Sequence, residues 1–173
     1  MASGDTLLIL MPQHCSPPGT TFATFDTVTG TSTPAERIPV LDFNDTNQQY
    51  ADFYCVMPQN YDGGGLTCIV GYSAAETSTD VIDWEIAIRA VPDDAEDLDT
   101  TAHTYQYNDV VDTAPSAVGE VGYATITFTD GADMDSVAAG EYFILRLTRD
   151  PTPNSGTDVT GDASMHFVHV KET

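Results

Sequence analysis

The chain has 173 residues, of which 41% are hydrophobic and 9% aromatic, and this composition is sufficient for the buried core of one domain. Twenty-seven acidic and five basic residues give a formal net charge of −22. Because so negative a surface repels phosphate, and because the basic residues are scattered along the chain, we exclude direct binding to nucleic acid and to anionic membrane surfaces. The excess of acids over a single lysine favours a marine or otherwise halophilic source.

Residues 1–35 form the first predicted unit, which is rich in Pro, Gly and Thr. It contains one apolar run, made of Leu7, Leu8, Ile9, Leu10 and Met11. No basic residue precedes this run and it is too short to cross a bilayer, so we expect neither a signal peptide nor a membrane span, and synthesis in the cytoplasm. Because the run has no obvious place in the sandwich predicted below, we expect an N-terminal arm that pairs with the sheet edge of a partner.

Residues 36–173 form the second predicted unit, a jelly-roll domain. Short runs of β-branched and aromatic residues, bounded by Gly, Pro, Asp and Asn, are typical of strands. Helical spacing is absent apart from a single turn near Asp94–Thr100. The long polar connections predict an all-β fold, a two-sheet jelly-roll sandwich of about eight strands with the N-terminal arm. The predicted strands are Thr6–Met11, Phe22–Thr27, Ile38–Phe43, Ala51–Met57, Leu66–Tyr72, Val81–Val91, Gly122–Thr129, Tyr142–Arg149 and Met165–Lys171.

The clearest strand is Val81–Val91, in which apolar and charged residues alternate, and this alternation predicts one core side and one solvated side. Tyr142 and Ile144 share the outward phase of a later strand and are too apolar for a solvated surface, so we expect something to cover them. The inward phase of these strands places in one core Trp84, Ile86, Ile88, Phe128, Phe143, Leu145 and Leu147.

Three cysteines are present, and their spacing matches no zinc site. If the residues around Cys55 and Cys68 form a hairpin centred near Asp62-Gly63, the two thiols lie opposite each other at a separation that a disulfide can bridge. The alternative is two small buried hydrophobic residues, which synthesis in the cytoplasm favours.

The densest acidic cluster, Asp93–Asp99, could supply carboxylate ligands to calcium. It lacks the glycine and the terminal glutamate of an EF-hand loop, so a solvated loop is the favoured interpretation. We predict no cofactor, with calcium at this cluster as the alternative.

Catalytic motifs are absent, and we predict that the chain is not an enzyme. His14-Cys15 lacks a nucleophile elbow, and His166 and His169, three apart on one strand, are expected to point to opposite faces. Tyrosines in or near predicted loops are able to stack on sugar rings, although the single tryptophan is expected to be buried. These tyrosines are Tyr50, Tyr54, Tyr61, Tyr105 and Tyr107.

Most of the chain resembles a group of small jelly-roll virion proteins of tailed phages. The resemblance lies in Phe22–Thr27, Val40–Phe43, Ala51–Leu66, the strand of Trp84, Thr127–Leu147, Thr148–Asp150 and Thr160–Ala163. It implies a capsid decoration or cement protein, a homotrimer that binds the major capsid protein on the outside of a phage head. On this basis we expect the protein on the virion surface, with Tyr142 and Ile144 closing the trimer and the run Leu7–Met11 gripping a partner. The alternative is a tail- or fibre-associated jelly-roll module that binds a carbohydrate or receptor.

Overall fold

The computed structural model describes residues 4–76 and 79–173. These residues form eleven β-strands and two three-residue 3₁₀ turns, and no helix among them has the length and hydropathy that a membrane span requires. The strands are β1 Thr6–Leu10, β2 Cys15–Ser16, β3 Thr24–Thr29, β4 Arg37–Phe43, β5 Gln49–Val56, β6 Leu66–Ala74, β7 Val81–Val91, β8 Tyr107–Thr113, β9 Gly122–Phe128, β10 Tyr142–Asp150 and β11 Ala163–Glu172.

The strands pair into two antiparallel sheets. A six-stranded sheet has the order β3-β4-β11-β6-β9, with β1 also paired to β11, and a five-stranded sheet has the order β2-β5-β10-β7-β8. The inward side chains of the two sheets meet in one hydrophobic core. The predicted all-β, two-sheet jelly-roll sandwich is therefore confirmed.

Alternation along β7 brings Trp84 to the centre of the core, where it is 0% exposed. The Phe43 ring meets the indole edge-on at a centroid distance of 5.2 Å, and the Tyr72 ring lies 5.5 Å away. The buried residues include all those predicted from the inward phase: Trp84, Ile86, Ile88, Phe128, Phe143, Leu145 and Leu147.

The apolar run near the N-terminus lies within the sandwich, which differs from the predicted arm. β1 pairs with β11, with Leu8 opposite Val170 and Leu10 opposite Val168. β4 pairs with only the first three residues of β11, Ala163–Met165, so the rest of that edge is left for β1. Burial of apolar side chains inside the chain's own core thus gives the run a place without a partner.

Two strands were not predicted from the sequence. β2 has two residues, and β8 contains one Asn and two Asp, which have low strand propensity. β8 is nevertheless held as an edge strand by pairing along β7, with Val110 opposite Trp84. Tertiary pairing therefore overrides local propensity at this position.

All three cysteines are free, and the hairpin that would place Cys55 opposite Cys68 does not form. Cys55 lies on β5 and Cys68 on β6, and these strands belong to different sheets. Both thiols are buried among apolar side chains, which raises the pKa of Cys55 to about 11 and that of Cys68 to about 12. The alternative prediction of two small buried hydrophobic residues is confirmed.

The expectation that His166 and His169 point to opposite faces is wrong because β11 is irregular. The register shifts between Met165 and Phe167, which inserts one residue and changes the phase. His166 consequently contacts Ser73 through Nε2 at 2.9 Å, on the outward face of the six-stranded sheet. His169, opposite Ile69, faces the same way.

A buried arginine fixes the connection between β10 and β11. Arg149 takes an inward position at the end of β10 and is 0% exposed. Its Nη1 donates to the carbonyl oxygens of Phe43 and Gly161 at 2.9 and 2.8 Å. Its Nη2 donates to the Val159 carbonyl at 2.7 Å and to the Asp158 carboxylate at 2.8 Å. These acceptors offset the cost of burying the charge and tie the connection to β4.

Replacing the central tryptophan tests this core. Trp84→Ala removes a fully buried indole, so we expect a loss of about 3–5 kcal/mol in the free energy of unfolding. Denaturant unfolding followed by circular dichroism measures the loss without relying on the missing fluorophore. Val118→Ala, at a side chain 62% exposed, serves as the control and should change little. Equal effects from the two substitutions would contradict the assignment.

Candidate functional site

The outward face of the five-stranded sheet is rich in tyrosine. Tyr50 and Tyr54 project from β5 and Tyr142 from β10, each on the phase opposite to the buried residues of its strand. Tyr107 of β8 lies opposite Ala87, which shares the outward phase of β7. Tyr105, from the connection between β7 and β8, lies against the same sheet. We call the surface formed by these five side chains the tyrosine face.

Arg146 and Asp52 lie at the centre of the tyrosine face, directly opposite each other on β10 and β5. Nε and Nη2 of Arg146 donate to the two carboxylate oxygens of Asp52 at 2.6 and 2.7 Å. This bidentate pair raises the pKa of Arg146 above its ordinary value. The guanidinium carbon lies 4.1 Å from the Tyr105 ring centroid and 5.3 Å from that of Tyr50, so the pair also positions two aromatic rings.

Residues 92–106 fold back over the β7 side of the tyrosine face. The nearly buried Arg89 donates through Nε and Nη2 to Glu96 Oε2 at 3.0 and 2.6 Å. His103 lies 3.7 Å from the Glu96 carboxylate, and its ring meets Tyr105 edge-on at a centroid distance of 5.1 Å. The prediction of a solvated side for β7 is therefore wrong: Glu96 covers Arg89, and contacts from Asn154 and Gln48 cover Asp83 and Glu85.

Tyr54 and Tyr142 form the accessible part of the tyrosine face. The Tyr54 side chain is 49% exposed and Tyr142 is half-buried. Their rings are 17° from parallel with centroids 6.5 Å apart, so they form a loosely stacked aromatic pair that solvent reaches.

A hydrogen-bonded row of polar groups borders the aromatic rings. The Tyr50 hydroxyl donates to Gln48 Oε1 at 2.8 Å, and Gln48 Nε2 donates to Glu85 Oε2 at 3.0 Å. Burial, followed by the carboxylates of Asp150 and Asp83, raises the pKa of Glu85 to about 7. Glu85 therefore changes its charge near neutral pH.

A cleft of about 280 Å³ opens beside His103, at the margin of the tyrosine face. Thr104 and Gln106 line it together with Asp133 and Asp135. Asp135 is held by the backbone N–H of Ala90, which donates to its Oδ2 at 2.9 Å. The polar lining suits a hydroxyl-rich ligand.

Two of the predicted interface residues, Tyr142 and Ile144, lie on the tyrosine face. Ile144 stands between Tyr54 and Arg89 in the register and is 6% exposed within the single chain. The apolar character of this position therefore does not require a partner. The homotrimer, the contact with a major capsid protein and the virion location stay predictions.

The remaining predicted interface residues, Leu7, Leu8, Ile9, Leu10 and Met11, belong to the opposite side of the molecule. Leu7 and Leu10 are buried, Leu8 and Met11 are half-buried, and Ile9 is 56% exposed. Since β1 lies in the six-stranded sheet, the structure does not bring this run together with the tyrosine face. A role of the run in contacting a partner stays a prediction.

The acidic cluster Asp93–Asp99 lies in the cover over the tyrosine face. Glu96 is used in the ion pair with Arg89, and Asp97 accepts the backbone N–H of Asp99 at 3.3 Å. Within residues 4–76 and 79–173, no group of three or more His, Cys, Asp or Glu side chains is arranged to hold a metal ion. The prediction of no cofactor, with calcium at this cluster as the alternative, stays a prediction.

Sequence reasoning found the tyrosines but not the ion pairs that position them. Tyr61, also singled out, is 7% exposed and donates to Asp130, so it does not join the tyrosine face. Arg146 sits two residues from Ile144 on the outward phase of β10, and Asp52 sits between two tyrosines on β5. The alternation of each strand therefore indicates that Arg146 and Asp52 face outward. It does not indicate that they lie opposite each other, because that depends on the register between β5 and β10.

No protein-family model matches this chain, and no curated protein matches it.

Solved structures of similar fold include carbohydrate-binding modules. The CBM22-1 and GH10 modules of endo-1,4-beta-D-xylanase 10B from Clostridium thermocellum, complexed with xylohexaose, align at 12% identity with a TM-score of 0.51, over 100% of this chain and 29% of that chain. The CBM22-1 xylan-binding domain from Paenibacillus barcinonensis aligns at 11% identity and a TM-score of 0.49, over 99% and 96% of the two chains. TmCBM27, a mannan-recognising module, aligns at 10% identity and a TM-score of 0.48, over 99% of each chain. These likenesses concern the fold alone.

The raised pKa of Glu85 predicts a pH-dependent effect of Glu85→Gln. Between its ordinary pKa of 4.5 and about 7, the folded chain keeps a proton that the unfolded chain loses, so folding stability falls as pH rises through this window. We expect the variant to raise the thermal midpoint at about pH 8 and to leave it nearly unchanged at about pH 4. Thermal melts of the variant and the parent at the two pH values measure the difference.

Glu76→Gln removes the same charge from an exposed position and is the matched control for general relief of repulsion. Equal shifts for the two variants at both pH values would show that Glu85 has no special proton affinity.

Proposed function

We propose that this chain is a carbohydrate-binding module and that the tyrosine face is its glycan-binding surface. The observation that carries the proposal is the exposed and nearly parallel Tyr54–Tyr142 pair. Sugar rings have apolar C–H faces that pack on aromatic rings, and hydroxyl edges that require hydrogen bonds. A pair of nearly parallel, accessible rings on a face that also carries fixed polar groups meets both requirements.

Polar groups elsewhere on the tyrosine face are already ordered in the free chain. Arg146 is held by two hydrogen bonds to Asp52, and Gln48 bridges Tyr50 and Glu85. Side chains that are fixed before binding lose little conformational entropy when a ligand arrives. This preorganisation supports a binding role for a surface that is otherwise open to solvent.

The charge of the tyrosine face selects neutral glycans. Asp52 and Glu85 lie on it, and Asp83, Asp109 and Asp150 share the outward phase of the same sheet. Only Asp52 has an arginine directly opposite. Uronic acids and sulfated sugars would meet uncompensated carboxylates, so we propose uncharged oligosaccharides as the ligand class.

The proposal is of binding without cleavage. Glycoside hydrolysis generally requires two carboxyl groups placed on either side of the scissile bond and able to exchange protons or attack the sugar. Asp52 is held by Arg146 and Glu96 by Arg89 in short ion pairs. These pairs favour a structural role for both carboxylates.

Calorimetric titration with xylohexaose tests the proposal, since the xylanase modules of similar fold were crystallised with that sugar. A panel of neutral manno-, galacto- and gluco-oligosaccharides and one oligouronate extends the test to other sugars. We expect at least one neutral sugar to bind, the oligouronate not to bind, and no new reducing ends to appear. Tyr54→Ala should weaken the association constant by about tenfold, because it removes half of the ring pair.

Phe25→Ala is the matched control, because Phe25 is an exposed aromatic, 54% accessible, on β3 of the other sheet. This variant should bind like the parent. The proposal is overturned if no neutral sugar binds at about 1 mM, or if the two alanine variants weaken binding equally.

A further inference from the structure

One part of the outward face of the six-stranded sheet lacks carboxylates, whereas Asp42 of β4, which accepts a hydrogen bond from the Ser164 hydroxyl, lies outward at the other end of the sheet. The outward positions of β1, β6 and β9 and of residues 167–171 include no Asp or Glu, although the chain contains 27 acidic residues. Lys171, the only lysine, is the one charged residue among them. We call this surface the acid-free patch; apart from threonines and Ser73, its side chains are Ile9, Ile69, Tyr123, Phe167, His169 and Lys171.

The acid-free patch is apolar at its centre and accessible. Tyr123 is 62% exposed and Ile9 is 56% exposed. Gly71 stands between Tyr123 and Phe167 in the register, and a side chain there would collide with the Phe167 ring. The missing side chain lets the two aromatic rings approach with centroids 6.0 Å apart. The rings and the isoleucines form a low apolar surface rather than a cleft.

The two outer faces of the sandwich therefore differ in chemistry. Tyrosines on the five-stranded sheet are mixed with carboxylates such as Asp52 and Glu85, which suits sugar hydroxyls. The acid-free patch has aromatic and aliphatic side chains without Asp or Glu, which is the composition of the buried centre of a protein–protein interface. We propose that a second copy of this chain docks on the acid-free patch, face to face, to form a two-fold symmetric dimer.

The charge and the hydrogen-bonding groups of the patch favour a second copy as the occupant. In a two-fold contact each surface meets itself, so the surface must be compatible with its own charge and polar groups. Threonine hydroxyls, His169 and the Tyr123 hydroxyl can each donate and accept hydrogen bonds. Each chain has a net charge of −22, so two copies that face each other with carboxylate-bearing surfaces repel each other. Contact through the acid-free patch places no Asp or Glu of one copy opposite an Asp or Glu of the other.

The size of the patch sets the expected strength of the dimer. It spans four strands about 4.8 Å apart and has side chains about 6.8 Å apart along each strand. The patch is thus about 15–20 Å on a side, and a contact of this extent buries well under about 1,200 Å² in total, which is the size of a weak and transient contact. We therefore expect the dimer to form at concentrations between about 10 µM and about 1 mM, and more tightly in high salt, which screens the overall repulsion.

Sedimentation equilibrium of the full chain over this concentration range, in low and in high sodium chloride, tests the proposal. We expect a monomer–dimer equilibrium with an association constant that rises with salt. Tyr123→Asp places one carboxylate of each copy in the contact and should lower that constant at least about tenfold. Leu98→Asp adds the same charge at a side chain 53% exposed on the opposite side of the sandwich and should leave the constant unchanged.

A melting midpoint for Tyr123→Asp close to that of the parent establishes that the variant is folded. A single monomer mass at all concentrations in both salts overturns the proposal, as do equal effects of the two aspartate variants. A trimer that Tyr123→Asp leaves intact also overturns the proposal. That result would favour the predicted homotrimer, in which Tyr142 and Ile144 form the contact between chains. Sugar binding is an independent readout, since Tyr54 and Tyr123 lie on opposite sheets.

Discussion

The bidentate pair between Arg146 and Asp52 is the interaction on which the proposed binding surface depends. Asp52 is 3% exposed in the middle of β5, where an unpaired carboxylate would be costly. Arg146 supplies both hydrogen bonds from the neighbouring strand, and its planar guanidinium lies against the rings of Tyr105 and Tyr50. One ion pair thus satisfies a buried charge and joins the β7–β8 connection to the sheet below it.

The few basic residues of the chain are used mostly inside it. Arg89, Arg146 and Arg149 each form an ion pair with a carboxylate of the same chain, and within residues 4–76 and 79–173 Arg37 and Lys171 stand outside such pairs. Arg146 and Arg149 are three residues apart and lie on opposite faces of β10, so one organises the outer surface and the other fixes a connection through backbone carbonyls. The positive charges therefore support the fold, and the solvent-facing charge is almost entirely acidic.

The sequence allows the sheets to be predicted better than the surfaces that the loops complete. The alternation around Trp84 is local and strictly periodic, so the core side of β7 follows from the residues alone. The burial of Arg89 depends on its ion pair with Glu96, and the position of Tyr105 depends on its contact with Arg146, 41 residues further along the chain. Neither contact produces a periodic pattern in the sequence. The place of β1 has no local signal for the same reason. β4 pairs with only Ala163–Met165 of β11, and this pairing, which leaves the rest of the β11 edge to β1, is a long-range contact.

The eight tyrosines of the chain provide the most direct test of the central claim, that neutral glycans bind on the five-stranded sheet. Five of them form the tyrosine face, Tyr61 and Tyr72 are buried, and Tyr123 lies on the opposite sheet. NMR spectra of ring-labelled tyrosine, recorded during titration with a sugar that binds, follow each group separately. The account predicts shifts for Tyr54 and Tyr142 and none for Tyr123. Shifts confined to Tyr123, or a bound sugar that moves no tyrosine signal of the face, would contradict it.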